Sequence, residues 1–496
     1  MEMPMPVSSR TCSVLLALLL ARTASAAPAL ELRPYTFISA AHDTVAAEWG
    51  TFHVPENRSD PASRTIELAF VRFKSTSAHP GPPIVYLAGG PGNSGIDAAR
   101  GRRFKLFMAF RSVADVIALD QRGIGSSVPA LECEERSHYP LDQPGDRAAW
   151  LADIRAGCRS CRDTWRARGV DLTGYTVSES ADDLGALCEA LGVERITPWA
   201  ISYGTTLGLE FLRRHPTRAY RAILAGVEGV DDMLKPPARV DSMLSLVAAL
   251  AKRDTSVGRD VPDLMGLMRR QIHELERHPI SVRIADAATK APDDSVTVVL
   301  GAYDYRWAAY QLLGTADYEW LPGFAWTLDQ GDVRTKQWWA GIVARERRSG
   351  IGGAVSFCTD CASGASPQRR ARVRNESPRA VLEDVANLVY PDVCDVWGVK
   401  DLGEGFRKNL VACDVPTLFI SGTLDVHTPP GQAEVARAGF RNSFHLRIAG
   451  ATHSDPLFFS SPRILEVMLA FLETGTVPTE RLEIPIAFKP VRVFND

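Results

Sequence analysis

A serine, an aspartate and a histidine in this chain each follow a short apolar run and each sit in a tight, glycine-containing turn. Ser202 ends the run Trp199-Ala200-Ile201 and is followed by Tyr203-Gly204, after which Leu207, Leu209 and Phe211 carry a helical pattern. Strand, turn, serine, helix is a geometry that exposes a hydroxyl at the carboxyl end of a sheet. It also aims the next backbone N–H at whatever the hydroxyl attacks. Ala200, Gly204 and Gly208 supply the small neighbours that such a turn requires. Asp425 lies in Gly422-Thr423-Leu424-Asp425-Val426-His427-Thr428-Pro429, just after the apolar run 416–421. His453 lies in Gly450-Ala451-Thr452-His453-Ser454-Asp455, just after the run 443–448. A serine hydroxyl needs a base to take its proton. The base needs a carboxylate that fixes its tautomer and stabilises the imidazolium. Ser202, His453 and Asp425 fill these three places. His427 and Asp455, two residues from Asp425 and His453, are weaker candidates that loop hydrogen bonding would also explain.

A fourth element fits the same chemistry. The apolar run 84–87 leads into Ala88-Gly89-Gly90-Pro91-Gly92-Asn93-Ser94-Gly95. This loop lacks the G-x-G-x-x-G spacing of a dinucleotide site and the Lys-Ser/Thr of a P-loop. Clustered glycines at a strand end still let backbone N–H groups converge on an anion, and a developing oxyanion is the natural guest. The run 113–119 ends similarly in Asp120-Gln121-Arg122-Gly123, where the two charges read as an internal salt-bridge and loop-fixing pair. Two features depart from the simple pattern. Ala200 stands where G-x-S-x-G has its first glycine, and Pro198 falls in the strand, where it would remove a ladder donor.

The elements that must position these loops alternate strand and helix. Partly alternating runs at 49–54 and 66–73 predict antiparallel strands; the short apolar runs predict buried, mostly parallel ones. Helices are expected over 149–168, from a cap at Ser178 or Ser180 to Gly192, and over 462–473. The resulting class is α/β with a largely parallel sheet. From 231 to 409 the pattern turns mainly helical and rich in tryptophan (Trp307, Trp320, Trp326, Trp338, Trp339, Trp397), which reads as a cap inserted in the sheet domain. Core packing and an aromatic wall over a cleft explain the tryptophans equally well. The division is then a core part over 27–230, a cap over 231–409 and a second core part over 410–496. Residues 350–366 read as a glycine- and serine-rich rim, and 369–374 (RRARVR) as a solvated basic loop.

Composition is that of an ordinary globular chain: 496 residues, 45% hydrophobic, 23% charged, formal net charge -3. The charge gives no support to nucleic-acid binding. Arg10, the apolar run 14–21 and Ala24-Ser25-Ala26 predict a secretory signal peptide over 1–26, and no later run is apolar enough to span a membrane. Of nine cysteines only Cys12 falls in the leader; the even remainder in an exported chain favours disulfides, with Cys358 or Cys361 paired to Cys394 or a neighbour. The pairs Cys158/Cys161 and Cys358/Cys361 leave a four-thiolate zinc site as the lesser alternative.

Gly89-Gly90-Pro91-Gly92, Asp120-Gln121-Arg122-Gly123-Ile124-Gly125-Ser126, Ser202-Tyr203-Gly204, Gly422-Thr423-Leu424-Asp425 and the loop at His453 together resemble the secreted prolyl iminopeptidase and tripeptidyl aminopeptidase group of α/β-hydrolases. The order Ser…Asp…His is that of this fold. The resemblance implies a mostly parallel sheet with a large helical cap. It makes Ser202 the nucleophile, Asp425 the acid and His453 the base. It places the oxyanion on the N–H of Tyr203 and on the Gly89 and Gly90 loop. It also implies an acidic group that holds a substrate's free ammonium, for which Glu228 is the first choice and a loop salt bridge the alternative. The expected activity is hydrolysis of peptides from a free N-terminus, in a secreted or periplasmic enzyme with a small peptide or ester substrate and no cofactor. An esterase with the same triad is the runner-up, and a non-catalytic binding module on the same fold is the third reading.

Overall fold

The computed structural model describes residues 29–289 and 294–491; the expected signal peptide and Cys12 lie outside the described residues. Three antiparallel strands come first: β1 (Leu30–Ile38), β2 (Thr44–Pro55) and β3 (Thr65–Phe73). Then follow β4 (Gly81–Leu87), α1 (Gly95–Arg100), α2 (Phe104–Phe110) and β5 (Ala114–Leu119). Next are α3 (Arg147–Ala167), α4 (Val177–Leu191), β6 (Thr197–Ser202), α5 (Tyr203–Arg214) and β7 (Ala222–Val227).

The cap holds α6 (Pro237–Arg253), α7 (Leu264–Arg277), a separate hairpin of β8 (Ile280–Ala285) and β9 (Ser295–Leu300), and α8 (Ala302–Gly314). It continues with α9 (Leu321–Asp329), α10 (Val333–Glu346), α11 (Ala354–Ser363), α12 (Pro367–Glu376), and the single-turn α13 (Cys394–Trp397) and α14 (Gly403–Phe406). The chain then returns to the sheet with β10 (Thr417–Gly422), α15 (Pro430–Arg437), β11 (Ser443–Ala449), α16 (Pro456–Phe459), α17 (Pro462–Thr474) and β12 (Arg481–Glu483).

The main sheet has the order β1-β2-β3-β5-β4-β6-β7-β10-β11-β12 and is parallel from β5 to β12. The carboxyl ends of β4, β6, β10 and β11 therefore lie along one edge, so the four loops singled out above open on the same side. The inner strands read as continuous apolar runs because both faces are covered: every residue of β7 and β10 is buried. Pro198 is accommodated inside β6. It lies opposite Val85 of β4, and register with β7 starts only at Trp199 with Ile223. Trp199, fully buried, packs edge-on to Phe107 and Phe110 and tilted against Tyr86, locking β6 to α2.

Several local expectations are corrected. The α4 cap is Thr176, whose hydroxyl accepts from Glu179 N at 3.2 Å; the Ser178 hydroxyl instead donates to Glu210 at 2.9 Å. The rim at 350–366 contains a helix, α11, bracketed by Gly353 and Gly364 and largely buried. The basic run lies in α12, which starts with Ser366 as N-cap and Pro367 in its first turn, a standard helix entry. Trp339 is buried and Trp338 half exposed, as neighbours on one helix must diverge; Trp339 and Trp397 are core residues.

The cysteines divide. Cys133–Cys161 and Cys361–Cys394 are disulfides, while Cys158, Cys188, Cys358 and Cys413 are free and buried. Cys161 and Cys361 are thereby consumed, so the four-thiolate zinc set is not available. No helix of the described residues is long and apolar enough to cross a membrane.

Candidate active site

Ser202 terminates β6 and caps α5 with φ 56° and ψ −130°. A non-glycine residue in this region is strained, and the surroundings must hold it there. The Thr205 hydroxyl donates to Ser202 O at 2.6 Å and accepts from Glu228 N at 2.8 Å. The Thr206 hydroxyl donates to Glu228 O at 2.9 Å, so the first turn of α5 and the loop after β7 brace each other. Gly204 is required sterically, since a Cβ there would stand 2.2 Å from Leu87 O. Ala200 is fully buried in β6, and the residue that allows α5 to approach is Gly208, whose added Cβ would meet Leu224 Cδ2 at 3.0 Å.

Asp425 is completely buried, and its carboxylate is saturated with donors. Oδ1 accepts from His427 N at 2.9 Å and Thr428 N at 2.8 Å; Oδ2 accepts from the Thr428 hydroxyl at 2.6 Å and faces His453 Nδ1 at 2.8 Å. Burial alone would raise its pKa, but the His453 imidazole, the neighbouring His427 and the Thr428 hydroxyl outweigh it and bring it to about 2. Thr428 Oγ1 also lies 3.0 Å from His453 Nδ1. With Nδ1 facing a carboxylate, His453 carries its proton there and leaves Nε2 as the acceptor.

Ser202, His453, Gly89, Gly90, Asn93, Glu228, Lys235 and Thr428 line one cavity of about 340 Å³. Ser202 Oγ and His453 face it without a direct hydrogen bond between them; such contacts commonly tighten only around substrate. Gly89 packs directly on Ser202: a Cβ there would meet Ile201 O at 2.9 Å and Ser202 Cβ at 3.0 Å. The Gly89 loop is fixed by Gln121 Nε2 donating to Ala88 O at 3.2 Å and, from the cap, by the Ser356 hydroxyl donating to Pro91 O at 2.7 Å. Tyr203 N opens α5, with the N–H free of intrahelical partners, as the first N–H groups of any helix are.

Asp120 and Arg122 are the scaffold of this edge. Asp120 accepts from Ser94 Oγ, Ile96 N and Ser126 N, tying the Gly89 loop to the next one. Arg122, fully buried, forks onto Asp183 at 2.6 and 2.7 Å and also donates to Glu56 O and Gly174 O.

Glu228 lines the cavity but is not free. Its carboxylate is ion-paired with Lys235, which also donates to Asp232 O at 2.8 Å. Asp360 stands close to this pair; burial and the Glu228 charge raise its carboxyl well above the usual range. Asp455 is held by two arginines. It pairs with Arg102 and Arg103 at 3.5 and 3.4 Å. His427 lies beside the His453 ring, centroids 5.1 Å apart, with Nδ1 3.1 Å from the Tyr310 hydroxyl of α8. Burial, followed by the His453 charge, lowers its pKa to about 4, so it stays neutral.

The sequence alone gave no role to Thr428, which follows Asp425 in the same loop, or to Lys235, Asp360, Arg103 or Tyr310. Thr428 had a local signal, an Asp with a hydroxyl residue three positions on, which is a side-chain-to-backbone turn motif. The others meet the site only through tertiary contacts.

The alpha/beta hydrolase fold family matches residues 82–459. Among curated proteins, a hydrolase of Escherichia coli, YuaR, is 23% identical over 392 residues, 75% of this chain and 73% of its own length. The serine protease Hip1 of Mycobacterium tuberculosis is 30% identical over 183 residues, 36% of this chain and 35% of its own. A tripeptidyl aminopeptidase of Streptomyces lividans is 26% identical over 202 residues, 37% of each chain. The chain thus spans only about a third of these two peptidases.

Proposed function

The chain belongs to the α/β-hydrolase fold family, and on that premise we propose that it is a serine hydrolase working through an acyl-enzyme, with Ser202, His453 and Asp425 as its catalytic groups. The observation that carries this reading is the saturated Asp425–His453 pair facing the cavity that holds Ser202 at its strained elbow. His453 Nε2 takes the Ser202 proton as Oγ attacks the carbonyl carbon. The charge that develops on the carbonyl oxygen is assigned to the Tyr203 N–H and the N–H groups of the Gly89–Gly90 turn, backbone donors of the kind that stabilise an oxyanion. The protonated imidazole then gives its proton to the departing nitrogen or oxygen. Water, deprotonated by the same nitrogen, attacks the acyl-enzyme and restores Ser202.

The substrate we favour is a peptide cleaved near a free N-terminus, with Glu228 holding the ammonium. The two peptidases that match part of the chain support this choice. A second reading, an ester substrate, is favoured by the Glu228–Lys235 pair, because an ammonium already neutralises that carboxylate. The chain is proposed to work outside the cytoplasm after loss of residues 1–26; its two disulfides suit an oxidising space. The test compares peptides with free and blocked N-termini beside a short-chain aryl ester, with Ser202→Ala as control. Loss of peptide cleavage on blocking supports the aminopeptidase; ester turnover with neither peptide cleaved selects the esterase. Near-native turnover by Ser202→Ala would sink the serine-hydrolase reading itself.

A further inference from the structure

A second cavity, of about 640 Å³, adjoins the first and shares His427, His453 and Ser454 with it, but not Ser202 or the glycine loop. His453 thus stands between two spaces. The sheet order fixes which lies where. The glycine loop follows β4, Ser202 follows β6, His453 follows β11, and the far cavity reaches Ile484 and Pro485, just beyond β12 at the sheet edge. The oxyanion donors and the base therefore flank the serine from opposite directions, and the second cavity lies on the base's side.

In acyl transfer the base hands its proton to the leaving atom, so the leaving group must lie on the imidazole side of the scissile bond, away from the oxyanion donors. We propose that the 640 Å³ cavity is the leaving-group subsite and that it takes an amine or alcohol bearing a bulky apolar side chain. The inference rests on the serine-hydrolase reading above. Its wall is apolar: Tyr318 from the cap, Pro456 and Phe459 of α16, and Ile484 and Pro485. Of the charged groups on its wall, Arg102, Asp455 and Glu319 are already matched, while the exposed Asp317 accepts from the Thr315 hydroxyl at 3.0 Å. Arg102 lies 5.7 Å over the Phe459 ring and 3.5 Å from Asp455, and Glu319 is paired with Lys489 at 3.4 Å. A charged leaving group would compete with these pairs, whereas an apolar one covers Phe459 and Ile484. The first cavity, with Glu228 and Lys235, is left for the acyl part, so the two halves of the substrate meet opposite chemistry on either side of His453.

The test uses substrates with one common acyl group and leaving groups that differ in bulk but are matched in pKa, methanol against 3-phenylpropanol and glycinamide against phenylalaninamide. Burst kinetics separate acylation from deacylation. The native enzyme is expected to acylate at least about tenfold faster with the bulky apolar leaving group at low substrate, a typical discrimination for an apolar pocket. Deacylation should be the same for all, since the acyl-enzyme is common. Phe459→Ala and, independently, Ile484→Ser should each shrink the bulky-to-small ratio of kcat/KM. The small-leaving-group reaction and active-site titration of Ser202 report folding in the same sample. Equal kcat/KM for bulky and small leaving groups in the native enzyme, or an unchanged ratio in both variants, overturns the subsite while the hydrolase reading stands. Turnover that does not depend on Ser202 overturns both.

Discussion

Replacing Asp425 by asparagine tests the wiring of the site more sharply than removing it. The two oxygens of Asp425 have different partners. Oδ1 receives two backbone N–H groups, from His427 and Thr428, which cannot turn away. An asparagine must therefore point its carbonyl oxygen at them and its NH2 at the Thr428 hydroxyl and at His453 Nδ1. That NH2 is a donor, so Nδ1 must become the acceptor and the ring proton moves to Nε2. The imidazole is then in the tautomer that cannot receive the serine proton. The expected loss is about 10⁴-fold in kcat at neutral pH, with the fold retained, by analogy with what a wrong tautomer costs in serine-protease triads. Stability should report the same group. The folded pKa of Asp425, about 2, lies below the ordinary 3.8, so the unfolded chain binds the proton more readily. The contribution, about 2 kcal/mol, is present above pH 4 and is lost as pH falls from about 4 to 2. Urea unfolding at a series of pH values should show that step in the native protein and not in Asp425→Asn. Turnover by Asp425→Asn within tenfold of native would refute the tautomer argument. So would a larger loss from Asp455→Asn, whose carboxylate pairs with arginines instead.

Gly89→Ala is expected to lower kcat by about 10²-fold or more, because its Cβ would press on Ile201 O and Ser202 Cβ and displace the oxyanion donors; steady-state kinetics at unchanged melting temperature would check it. Arg122→Met removes a fully buried fork and leaves Asp183 with Arg58 alone, and should cost about 3–5 kcal/mol in denaturant unfolding. His427 has a folded pKa of about 4 against an ordinary 6.5, so the unfolded chain takes up its proton first, and stability should fall as pH drops from about 6.5 to 4 by about 3 kcal/mol. His427→Asn should flatten that slope in urea titrations. Reducing Cys361–Cys394, which closes a 33-residue separation, should destabilise the protein by about 3–4 kcal/mol, read as a lower urea midpoint in dithiothreitol.

What the sequence disclosed follows from how each segment is buried. The inner strands could be read because both faces are covered and the code is simply apolar, as in 84–87 and 416–421. β1, an antiparallel edge with most residues exposed, carried no such code and went unread. The helix α11 was hidden because glycines and serines on both sides imitate a loop, while its own small residues let it bury deeply. In the site, the loops carrying Ser202, Asp425 and His453 were legible as positions after strands. The Glu228–Lys235 pair was only half legible: seven residues separate them, but a turn after β7 must bring the ammonium back. The contact of Tyr310 with His427 spans 117 residues and has no local trace at all.

Two of these cap contacts have a consequence for how such a protein can change. Ser356 of α11 holds the Gly89 loop at Pro91, and α8 holds the Asp425 loop through Tyr310 and His427. Both touch at a glycine. A Cβ at Gly92 would stand 2.4 Å from Ser356 Oγ, and one at Gly314 would stand 2.4 Å from His427 Nε2. The cap is thus keyed to the core at two notches, one on each side of the serine. A cap grafted from a relative, or remodelled for a new substrate, inherits the reaction only if it arrives with a hydroxyl for the first notch and a side-chain-free backbone for the second. Drift in the cap is coupled to rate at these two points.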